Sequence, residues 1–287
     1  MQKIKVLSPG KVNLRLDILN KRKDGFHDLR SIMERVSFAD ELEISLLEKG
    51  IELTCNNPDL PLDERNIVYQ AAKEILAYSS RNIGVQIHIT KNIPISSGLG
   101  GGSSNAAAIL KGVNALLKLK LSREKLMKIG TKLGADVPFF LLDGPAVAEG
   151  IGHELKRIRS MPKLFMILVN PNMPVSTEWV YKNFIIESTE AVKPASVKIP
   201  SIFKTKRDVV KLMHNDLERV TTRRYPVVNE IKIALMKLGA MGSQMTGSGP
   251  TVFAIYADKV KREAAYDKLI SVHGEEWKIF KAENLAA

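Results

Sequence analysis

Along the first half of the chain, hydrophobic and polar residues alternate in some segments and recur at helical spacing in others. From Val12 to Ile18 every second residue is aliphatic, which is the period of a half-buried strand. Lys11 and Asn13 are therefore predicted to share the polar face of this strand. Further predicted strands lie at Leu42 to Leu46 and Val85 to Ile89, and predicted helices start at Asn66, Ala106 and Ser122. The first half thus mixes α and β structure.

The second half of the chain follows a polar stretch, around residues 150–162, that is interrupted by glycines and a proline. It opens with Leu164 to Val169, which has the continuous apolar pattern of a buried strand. Then come predicted helices near Val209 and over Val228 to Leu238, a strand over Thr251 to Tyr256, a helix from Lys259 and a strand near Trp277 to Phe280. This order is typical of an α+β domain. We expect a boundary at the polar stretch, which gives domains 1–155 and 156–287.

Composition is that of an ordinary globular protein. The 287 residues are 45% hydrophobic and 26% charged, which argues against a disordered or collagenous chain. The longest aliphatic and aromatic run is too short to span a bilayer, and the amino terminus has a strand-like alternation where a signal peptide needs an apolar block. The single cysteine, Cys55, cannot form an internal disulfide. We expect a cytoplasmic protein without membrane attachment.

The net positive charge of the chain indicates that its ligands are anions. Lys and Arg total 43 against 31 Asp and Glu, and the resulting charge of +12 attracts anions. Nucleic acids and phosphorylated metabolites both fit, and a merely solvated basic surface is the simplest explanation. The basic clusters are short and scattered, and they do not alternate with aromatic residues as single-strand binders require. Charge alone therefore favours a solvated basic surface over a nucleic-acid-binding one.

The segment with the clearest chemistry is Pro94 to Asn105, PISSGLGGGSSN, between a predicted strand and a predicted helix. Glycines let successive backbone N–H groups converge on an anion, and a helix start adds unsatisfied N–H donors. The segment is therefore predicted to bind phosphate. It matches neither the Gly-Lys-Ser/Thr loop nor the glycine spacing of dinucleotide-binding folds. The alternatives are a flexible connector and a capped helix.

This segment resembles the ATP-phosphate loop of the GHMP kinases, the family of galactose, homoserine, mevalonate and phosphomevalonate kinases. It has the extra glycine of the branch that acts on a cytidine diphosphate ester of methylerythritol. Four other segments resemble parts of that branch or family: Ser8 to Leu14 its opening strand, Asp24 to Leu29 its cytidine-binding loop, Leu133 to Phe140 its catalytic segment, and Met245 to Phe253 its carboxy-terminal glycine motif. The resemblance covers nearly the whole chain in order.

The resemblance implies a two-domain α+β fold. The amino-terminal domain would be of the ribosomal protein S5 type, the carboxy-terminal one ferredoxin-like, with the active site between them. The implied reaction transfers the γ-phosphate of ATP to the 2-hydroxyl of 4-diphosphocytidyl-2-C-methylerythritol, in the non-mevalonate route to isoprenoid precursors. The implied partners are small molecules, with no nucleic acid and no membrane, and the chain is expected to be a monomer or a weak homodimer.

The same resemblance implies that the glycine loop and two residues outside it bind ATP. Asn66 and Lys91 match positions that line the ATP pocket, although Asn66 could simply cap its helix and Lys91 could be solvated. ATP brings Mg²⁺, for which Ser104 is one candidate ligand. Lys125 to Lys128 stands where the wider family has its magnesium carboxylate, so no metal ligand is assigned. The predicted loop contacts are Pro94, Gly98, Leu99, Gly100, Gly101, Gly102, Ser103, Ser104 and Asn105.

Asp136 and Lys11 are the predicted catalytic residues. Asp136 follows a glycine-containing helix end and precedes Pro138, which holds a carboxylate near the start of the next element. A phosphoryl acceptor needs such a base or orienting carboxylate, and a cation offsets the charge of the moving phosphate. Only the resemblance makes Lys11 its neighbour. The alternatives are a helix cap for Asp136 and an exposed strand lysine for Lys11.

The acceptor site is predicted around His27. An aromatic ring that stacks on a pyrimidine, beside a polar group that contacts its edge, makes a sensible cytosine site. The family usually has tyrosine before this histidine, and Phe26 keeps the stacking ring without the hydroxyl. Tyr181 matches the ring on the other face of the base, or it is a core aromatic. The resemblance adds Asn13, Thr177, Gly247 and Ser248 to the predicted substrate contacts.

The sequence leaves two alternative functions open. One is a sibling kinase that acts on homoserine or a mevalonate. These substrates contain no cytosine, so a cytosine pocket at Asp24 to Leu29 would argue against such a kinase. The other is a basic RNA-binding protein, since the amino-terminal domain type also occurs in ribosomal proteins. Steeply salt-dependent RNA binding without ATP turnover would favour the second rival.

Overall fold

The computed structural model describes residues 3–185 and 197–285. The chain forms two compact units that interleave along the sequence. The first unit is Met1–Gly10, Ala39–Ile93 and Gly100–Asp143, and the second is Lys11–Phe38, Pro94–Leu99 and Gly144–Ala287. The domains 1–155 and 156–287 stay a prediction.

Two long strands carry the first part of the chain. β1 spans Lys3–Lys21 and β2 spans His27–Leu47, so each supplies residues to both units. The predicted strand from Val12 to Ile18 is the middle of β1, and its aliphatic residues are buried as expected. The alternative of an exposed strand lysine was wrong: Lys11 is 4% exposed, and Asn13 on the same strand is 5% exposed. Both faces of β1 are covered, and hydrogen bonds between the buried polar side chains compensate for their burial.

The first unit combines the far end of β2 with two strands and four helices. β4 runs antiparallel to β2 and parallel to β3, with Leu42 opposite Ile89 and Leu53 opposite Ile87. Helix α2 packs on α1, and both bury aliphatic residues in the core of this unit. The elements are β3 (Ile51–Cys55), α1 (Ile67–Leu76), β4 (Gly84–Thr90), α2 (Gly101–Leu116), α3 (Arg123–Leu133) and α4 (Val137–Leu141).

The helices of this unit begin where their capping residues predict. Asn66 Oδ1 accepts a hydrogen bond from Val68 N at 2.9 Å and starts α1. Ser122 Oγ accepts from Lys125 N and starts α3. Such caps satisfy backbone N–H groups that the first turn of a helix leaves without partners. The predicted helices from Asn66 and Ser122 are confirmed.

The second unit is built on an antiparallel sheet in the order β11-β7-β10-β9. β8 pairs in parallel with β1, β5 pairs antiparallel with β2, and β6 pairs with β5. The elements are β5 (Ala146–Glu149), β6 (Glu154–Arg157), β7 (Phe165–Asn170), α5 (Thr177–Lys182), α6 (Lys206–Leu212), β8 (His214–Asn215), α7 (Glu218–Arg224), α8 (Val227–Lys237), β9 (Gly242–Met245), β10 (Val252–Tyr256), α9 (Lys259–His273) and β11 (Lys278–Glu283).

The core of the second unit lies where α8 and α9 cover this sheet. Ile167, Val252 and Tyr256 from the sheet pack in one cluster with Leu235 of α8 and Leu269 of α9. Strands and helices alternate irregularly here, which confirms the predicted α+β class. Across the described part of the chain, none of the helices combines the length and the apolar composition that crossing a bilayer requires.

Candidate active site

The glycine-rich segment changes from one unit to the other within its own length. Its first part, Pro94–Leu99, belongs to the second unit, where Lys11 N donates to Leu99 O at 2.9 Å. Gly98 has φ +78°, and a Cβ there would lie 2.3 Å from Thr246 O. A glycine is therefore required at this point by both the backbone conformation and the close approach of another chain segment. Half-buried Pro94 and buried Leu99 complete this part.

The second part of the loop starts α2 in the first unit. Gly100 is the N-cap residue, in the left-handed conformation at φ +69°. The first N–H groups of a helix have no partner within it and carry the positive end of the helix dipole. A helix start of this kind favours an anion, and phosphate binding by the loop stays a prediction. Gly102 is exposed and Ser103 is half-buried at this helix start.

A buried ion pair lies beside the start of α2. Lys91 Nζ is 2.5 Å from Asp40 Oδ2, and the two side chains are 4% and 0% exposed. A Cβ on Gly101 would lie 2.8 Å from Lys91 Nζ, so the ammonium group touches the first residue of the helix. The alternative of a solvated Lys91 was wrong, because Asp40 binds it in the interior.

Polar side chains of α2 extend this cluster. Asn105 Nδ2 donates to Asp40 Oδ2 at 2.9 Å and to Ser8 Oγ at 2.8 Å. Ser8 Oγ in turn donates to Ser104 Oγ at 2.8 Å. Asn66 Nδ2 donates to Pro61 O, so the side chain that caps α1 is held at both ends. Asn66, Ser104 and Asn105 are therefore buried and held by hydrogen bonds, as the Lys91 side chain is by Asp40.

Asp136 is the half-buried residue that precedes α4. Within the part of the chain that the structure describes, its side chain makes no hydrogen bond that caps α4. The alternative of a helix cap was therefore wrong. A Cβ on the nearby Gly134 would lie 3.5 Å from Ile67 Cδ1 and 3.9 Å from Ser103 Oγ. The segment that carries Asp136 thus passes close to α1 and to the glycine loop within the first unit.

Lys11 and Asn13 form a polar cluster with the carboxy-terminal glycine motif in the second unit. Lys11 Nζ donates to Asn13 Oδ1 at 2.6 Å, and Asn13 Nδ2 donates to Ser31 Oγ at 2.8 Å. Asn13 N donates to Thr246 Oγ1. A Cβ on Gly247, at φ +58°, would lie 3.3 Å from Lys11 Nζ. Glycine at this position avoids a close contact with the ammonium group.

The predicted cytidine loop is the turn between β1 and β2. Gly25 has φ +89°, and Asp24 Oδ1 accepts from Phe26 N. The Phe26 ring is 60% exposed, whereas His27 is buried with its ring centroid 5.5 Å from that of Tyr181. Burial and the charge of Lys21 lower the pKa of His27 below its ordinary value. The imidazole is therefore neutral at pH 7, with one donor and one acceptor nitrogen.

The remaining predicted contacts, Thr177, Tyr181 and Ser248, lie in the second unit. Thr177 Oγ1 and Ser248 Oγ are 2.8 Å apart, which joins the start of α5 to the glycine motif. Tyr181 is on the same helix, and Phe184 just after it meets His27 edge-on at 6.4 Å. The structure brings the rings of His27 and Tyr181 into contact, and the contact of each with the base stays a prediction.

Asp40, the buried carboxylate beside the loop, has little capacity left to bind a metal ion. Both oxygens of Asp40 are used by four hydrogen-bond donors, so this residue does not fit as a ligand. Ser104 Oγ is buried and accepts from Ser8, and a hydroxyl has a second lone pair. This donor set fits Mg²⁺ that is bound mainly by phosphates and waters.

A cluster of possible ligands elsewhere in the second unit is already neutralised. Asp17, His214 and Asp216 offer atoms within 4.8 Å of one another. Asp17, however, lies 2.7 Å from an Arg15 nitrogen and also pairs with Arg30. His214 Nε2 is 2.7 Å from Asp216 Oδ1. Two guanidinium groups at one carboxylate disfavour a cation there.

Sequence analysis missed Asp40, although the pattern held a signal for it. Asp40 has the same parity as the buried Leu42 and Ile44 of β2, and Lys91 the same parity as the buried Ile89 of β4. Continuing the register of Glu41 opposite Thr90 by one residue places Asp40 opposite Lys91. Opposite charges at facing core positions indicate a buried ion pair. Thr246, Ser31 and Phe184 were also missed as neighbours of the predicted site residues.

The fold and the glycine loop together define a small-molecule kinase that uses ATP. Family models described as "GHMP kinases N terminal domain" and "GHMP kinases C terminal" match residues 66–144 and 203–274. The structure is similar to that of a 4-(cytidine 5'-diphospho)-2C-methyl-D-erythritol kinase, with a TM-score of 0.80 and 28% identity over 99% of this chain and 100% of the other. Homoserine kinase from Cytophaga hutchinsonii shares the fold at a TM-score of 0.74 and 19% identity, over 99% of this chain and 95% of the other.

Sequence relatives narrow the class. The chain is 49% identical to the 4-diphosphocytidyl-2-C-methyl-D-erythritol kinase of Geobacter sulfurreducens, over 90% of this chain and 92% of the relative. It is 44% identical to that of Pelobacter propionicus, over 99% of this chain and 100% of the relative. The chain belongs to the GHMP kinase family and, within it, to the 4-diphosphocytidyl-2-C-methyl-D-erythritol kinases. The resemblance predicted from the sequence is confirmed.

Proposed function

We propose that the protein transfers the γ-phosphate of ATP to the 2-hydroxyl of 4-diphosphocytidyl-2-C-methylerythritol. The observation that carries this proposal is the placement of a buried, neutral His27 against Tyr181, beside the exposed ring of Phe26. The names of relatives at 44% to 49% identity support the same acceptor. A homoserine or mevalonate acceptor has no base for such a group of rings to hold.

The base of the acceptor is held by the aromatic residues of the second unit. The Phe26 ring offers its face to stacking, and His27 offers one donor and one acceptor to the cytosine edge. Uracil reverses the donor and acceptor pattern that cytosine presents at positions 3 and 4. Phe184 contacts His27 edge-on and limits the rotation of its ring. We infer that these rings select cytidine over uridine.

Phosphoryl transfer is assigned to Asp136 and Lys11. Asp136 accepts the proton of the attacking hydroxyl, and the Lys11 ammonium stabilises negative charge on that oxygen and on the moving phosphoryl group. Asn13 fixes Lys11 through its Oδ1, and Gly247 avoids a close contact with the ammonium. Asp136 lies in the first unit, on the segment that passes close to the glycine loop.

The phosphates of ATP are bound by the glycine loop, with Lys91 as the cation beside it and Asn66 near the nucleotide. Bound Mg²⁺ would neutralise phosphate charge, with Ser104 as the protein ligand that the structure offers. Small molecules are the proposed partners. A cytoplasmic location and a monomer or weak homodimer stay predictions.

The proposed acceptor is tested by ADP release in a coupled assay with Mg²⁺ and ATP. The panel contains 4-diphosphocytidyl-2-C-methylerythritol, its uridine counterpart, homoserine and mevalonate. We expect kcat/KM for the cytidine ester to exceed that for homoserine and mevalonate by at least about 100-fold and that for the uridine ester by about 10-fold or more, because the lost base contacts are each worth about 1–3 kcal/mol. Comparable turnover of homoserine or mevalonate would contradict the proposed acceptor while leaving a GHMP kinase.

A further inference from the structure

A buried carboxylate that belongs to none of the matched motifs lies beside the ATP loop. Asp40 is fully buried in β2, within the first unit. Its Oδ1 accepts from the backbone N–H groups of Asn92 and Ile93, each at 2.8 Å. Its Oδ2 accepts from Lys91 Nζ at 2.5 Å and from Asn105 Nδ2 at 2.9 Å. Four donors fix both oxygens, so the carboxylate has one orientation.

The contacts of Asp40 join two parts of the predicted nucleotide site. Asn92 and Ile93 precede the glycine loop, and Asn105 lies in the second turn of α2 just after it. Lys91 Nζ is held against Gly101, the first residue of that helix. One carboxylate therefore sets the position of the ammonium group relative to the N–H groups at the helix start.

Lys91 has donor capacity beyond this contact. An ammonium group has three N–H bonds, and Asp40 is its hydrogen-bond acceptor among the residues that the structure describes. The side chain is 4% exposed, so bulk water solvates it poorly. The remaining donors suit an anion at the helix start, where the N–H groups of α2 also favour negative charge.

We propose that Asp40 is a positioning residue for ATP: it holds the Lys91 ammonium in the place where the nucleotide phosphates need it. A lysine side chain has four rotatable bonds, and ordering it during binding costs entropy. Asp40 orders it before ATP arrives. The inference rests on the proposed assignment of Lys91 and the glycine loop to ATP, and it adds the residue that preorganises them.

Whether removal of Asp40 weakens or tightens nucleotide binding distinguishes a positioning role from an effect of its negative charge alone. If Asp40 acted only through its negative charge, its removal would tighten the binding of an anionic nucleotide. If Asp40 positions Lys91, its removal weakens nucleotide binding although the site becomes more positive. Asp40→Asn keeps the shape but has one acceptor oxygen and an NH2 donor, so it cannot accept both from Lys91 and Asn105 and from the backbone N–H groups of Asn92 and Ile93.

The test measures ADP affinity by titration calorimetry on the full chain, without acceptor. We expect Asp40→Asn to raise the Kd for ADP by about 10-fold or more, while the KM for the cytidine acceptor changes less than about two-fold. Asp143→Asn, an exposed carboxylate in the same unit that pairs with Arg123, is the matched control and should leave the ADP Kd unchanged. Unchanged or tighter ADP binding by Asp40→Asn would overturn the proposal.

A double variant excludes a purely structural role. If Asp40 acts on ADP through Lys91, then Asp40→Asn/Lys91→Met binds ADP as weakly as Lys91→Met and no more weakly. Additive losses would overturn the proposal. Should Asp40→Asn fail to fold, Asp40→Glu takes its place, because it keeps the charge and moves the carboxylate by one methylene. Weaker ADP binding by folded Asp40→Glu supports positioning, and unchanged binding overturns it.

These outcomes are independent of the acceptor. A protein that binds ADP but does not phosphorylate the cytidine ester would contradict the proposed function and leave the Asp40 result intact. An active kinase whose Asp40 variants bind ADP normally would contradict only the role of Asp40.

Discussion

The side chain of Asp136 is half-buried before α4, where the alternative of a helix cap is not realised among the described residues. A carboxylate that acts on the transferring proton contributes to kcat and little to ATP binding. We therefore expect Asp136→Asn to lower kcat by about 10²–10⁴-fold and to change the ATP affinity by no more than a few-fold. Steady-state kinetics and ADP calorimetry measure the two effects. Near-normal kcat in the folded variant would remove Asp136 from catalysis.

In the proposed acceptor site, His27 hydrogen-bonds the edge of the cytosine base. The His27→Ala variant should raise the KM for the acceptor by about 10-fold or more, because a lost hydrogen bond in a dry pocket costs about 1–3 kcal/mol. The KM for ATP should stay the same. The exposed His88, in the first unit, gives the matched control His88→Ala. An acceptor KM that responds equally to both variants would show that His27 does not contact the base.

Glu34 is a fully buried carboxyl group in β2 that the proposed reaction does not use. Its Oε1 accepts from Arg35 N, and burial raises the pKa of Glu34 to about 8 from its ordinary value near 4.5. The folded protein therefore keeps a proton that the unfolded chain releases between these two values. Because the unfolded state then binds fewer protons, stability contributed by this group falls as pH rises from about 4.5 to about 8.

Glu34→Gln should remove this pH dependence, because an amide does not titrate. We expect the variant to be more stable than the parent at pH 8.5, by about 1–3 kcal/mol, and to match it at pH 4.5. Thermal unfolding at a series of pH values tests this, with Glu41→Gln on the exposed face of the same strand as the control. A constant difference between variant and parent at all pH values would show that Glu34 does not titrate as described.

At the scale of elements, α2 depends on the glycines at its start. A Cβ on Gly101 would lie 2.8 Å from Lys91 Nζ and 3.1 Å from Ile93 Cγ2. Gly101→Val should therefore displace the ammonium group and block the approach of phosphate while leaving the core of the first unit intact.

The expected result for Gly101→Val is a folded protein whose ADP-induced rise in Tm is lost. Differential scanning calorimetry with and without ADP measures this rise, which follows from ligand binding to the native state alone. The cooperative transition without ADP serves as the control for folding. An undiminished ADP-induced shift would show that the loop does not hold the phosphates.

Sequence patterns predicted the elements that have a periodic face and a clear cap. Helices α1 and α3 begin at Asn66 and Ser122 as expected, because these caps act locally. The full lengths of β1 and β2 could not be predicted, because buried polar residues such as Ser8 in β1 and Glu34 in β2 interrupt the apolar pattern that marks a buried strand. β8 has two residues, and only its pairing with β1 defines it as a strand.

At the scale of the whole molecule, the sequence predicted the family, because motifs in order along the chain are a property of sequence. It did not predict that segments from distant parts of the chain assemble into two interleaved units. The Asp40 and Lys91 pair shows why: its partners are 51 residues apart, and only the strand register brings them together. Long-range pairing of this kind leaves a weak local signal.

The reaction itself is tested most directly by the structure of its product. Purified protein is incubated with Mg²⁺, ATP and 4-diphosphocytidyl-2-C-methylerythritol, and the products are resolved by phosphorus NMR. We predict one new phosphomonoester signal, on the 2-hydroxyl of the methylerythritol group, in amounts equal to the ADP formed. A phosphate on any other hydroxyl, or ADP formed without a phosphorylated acceptor, would contradict the proposed transfer.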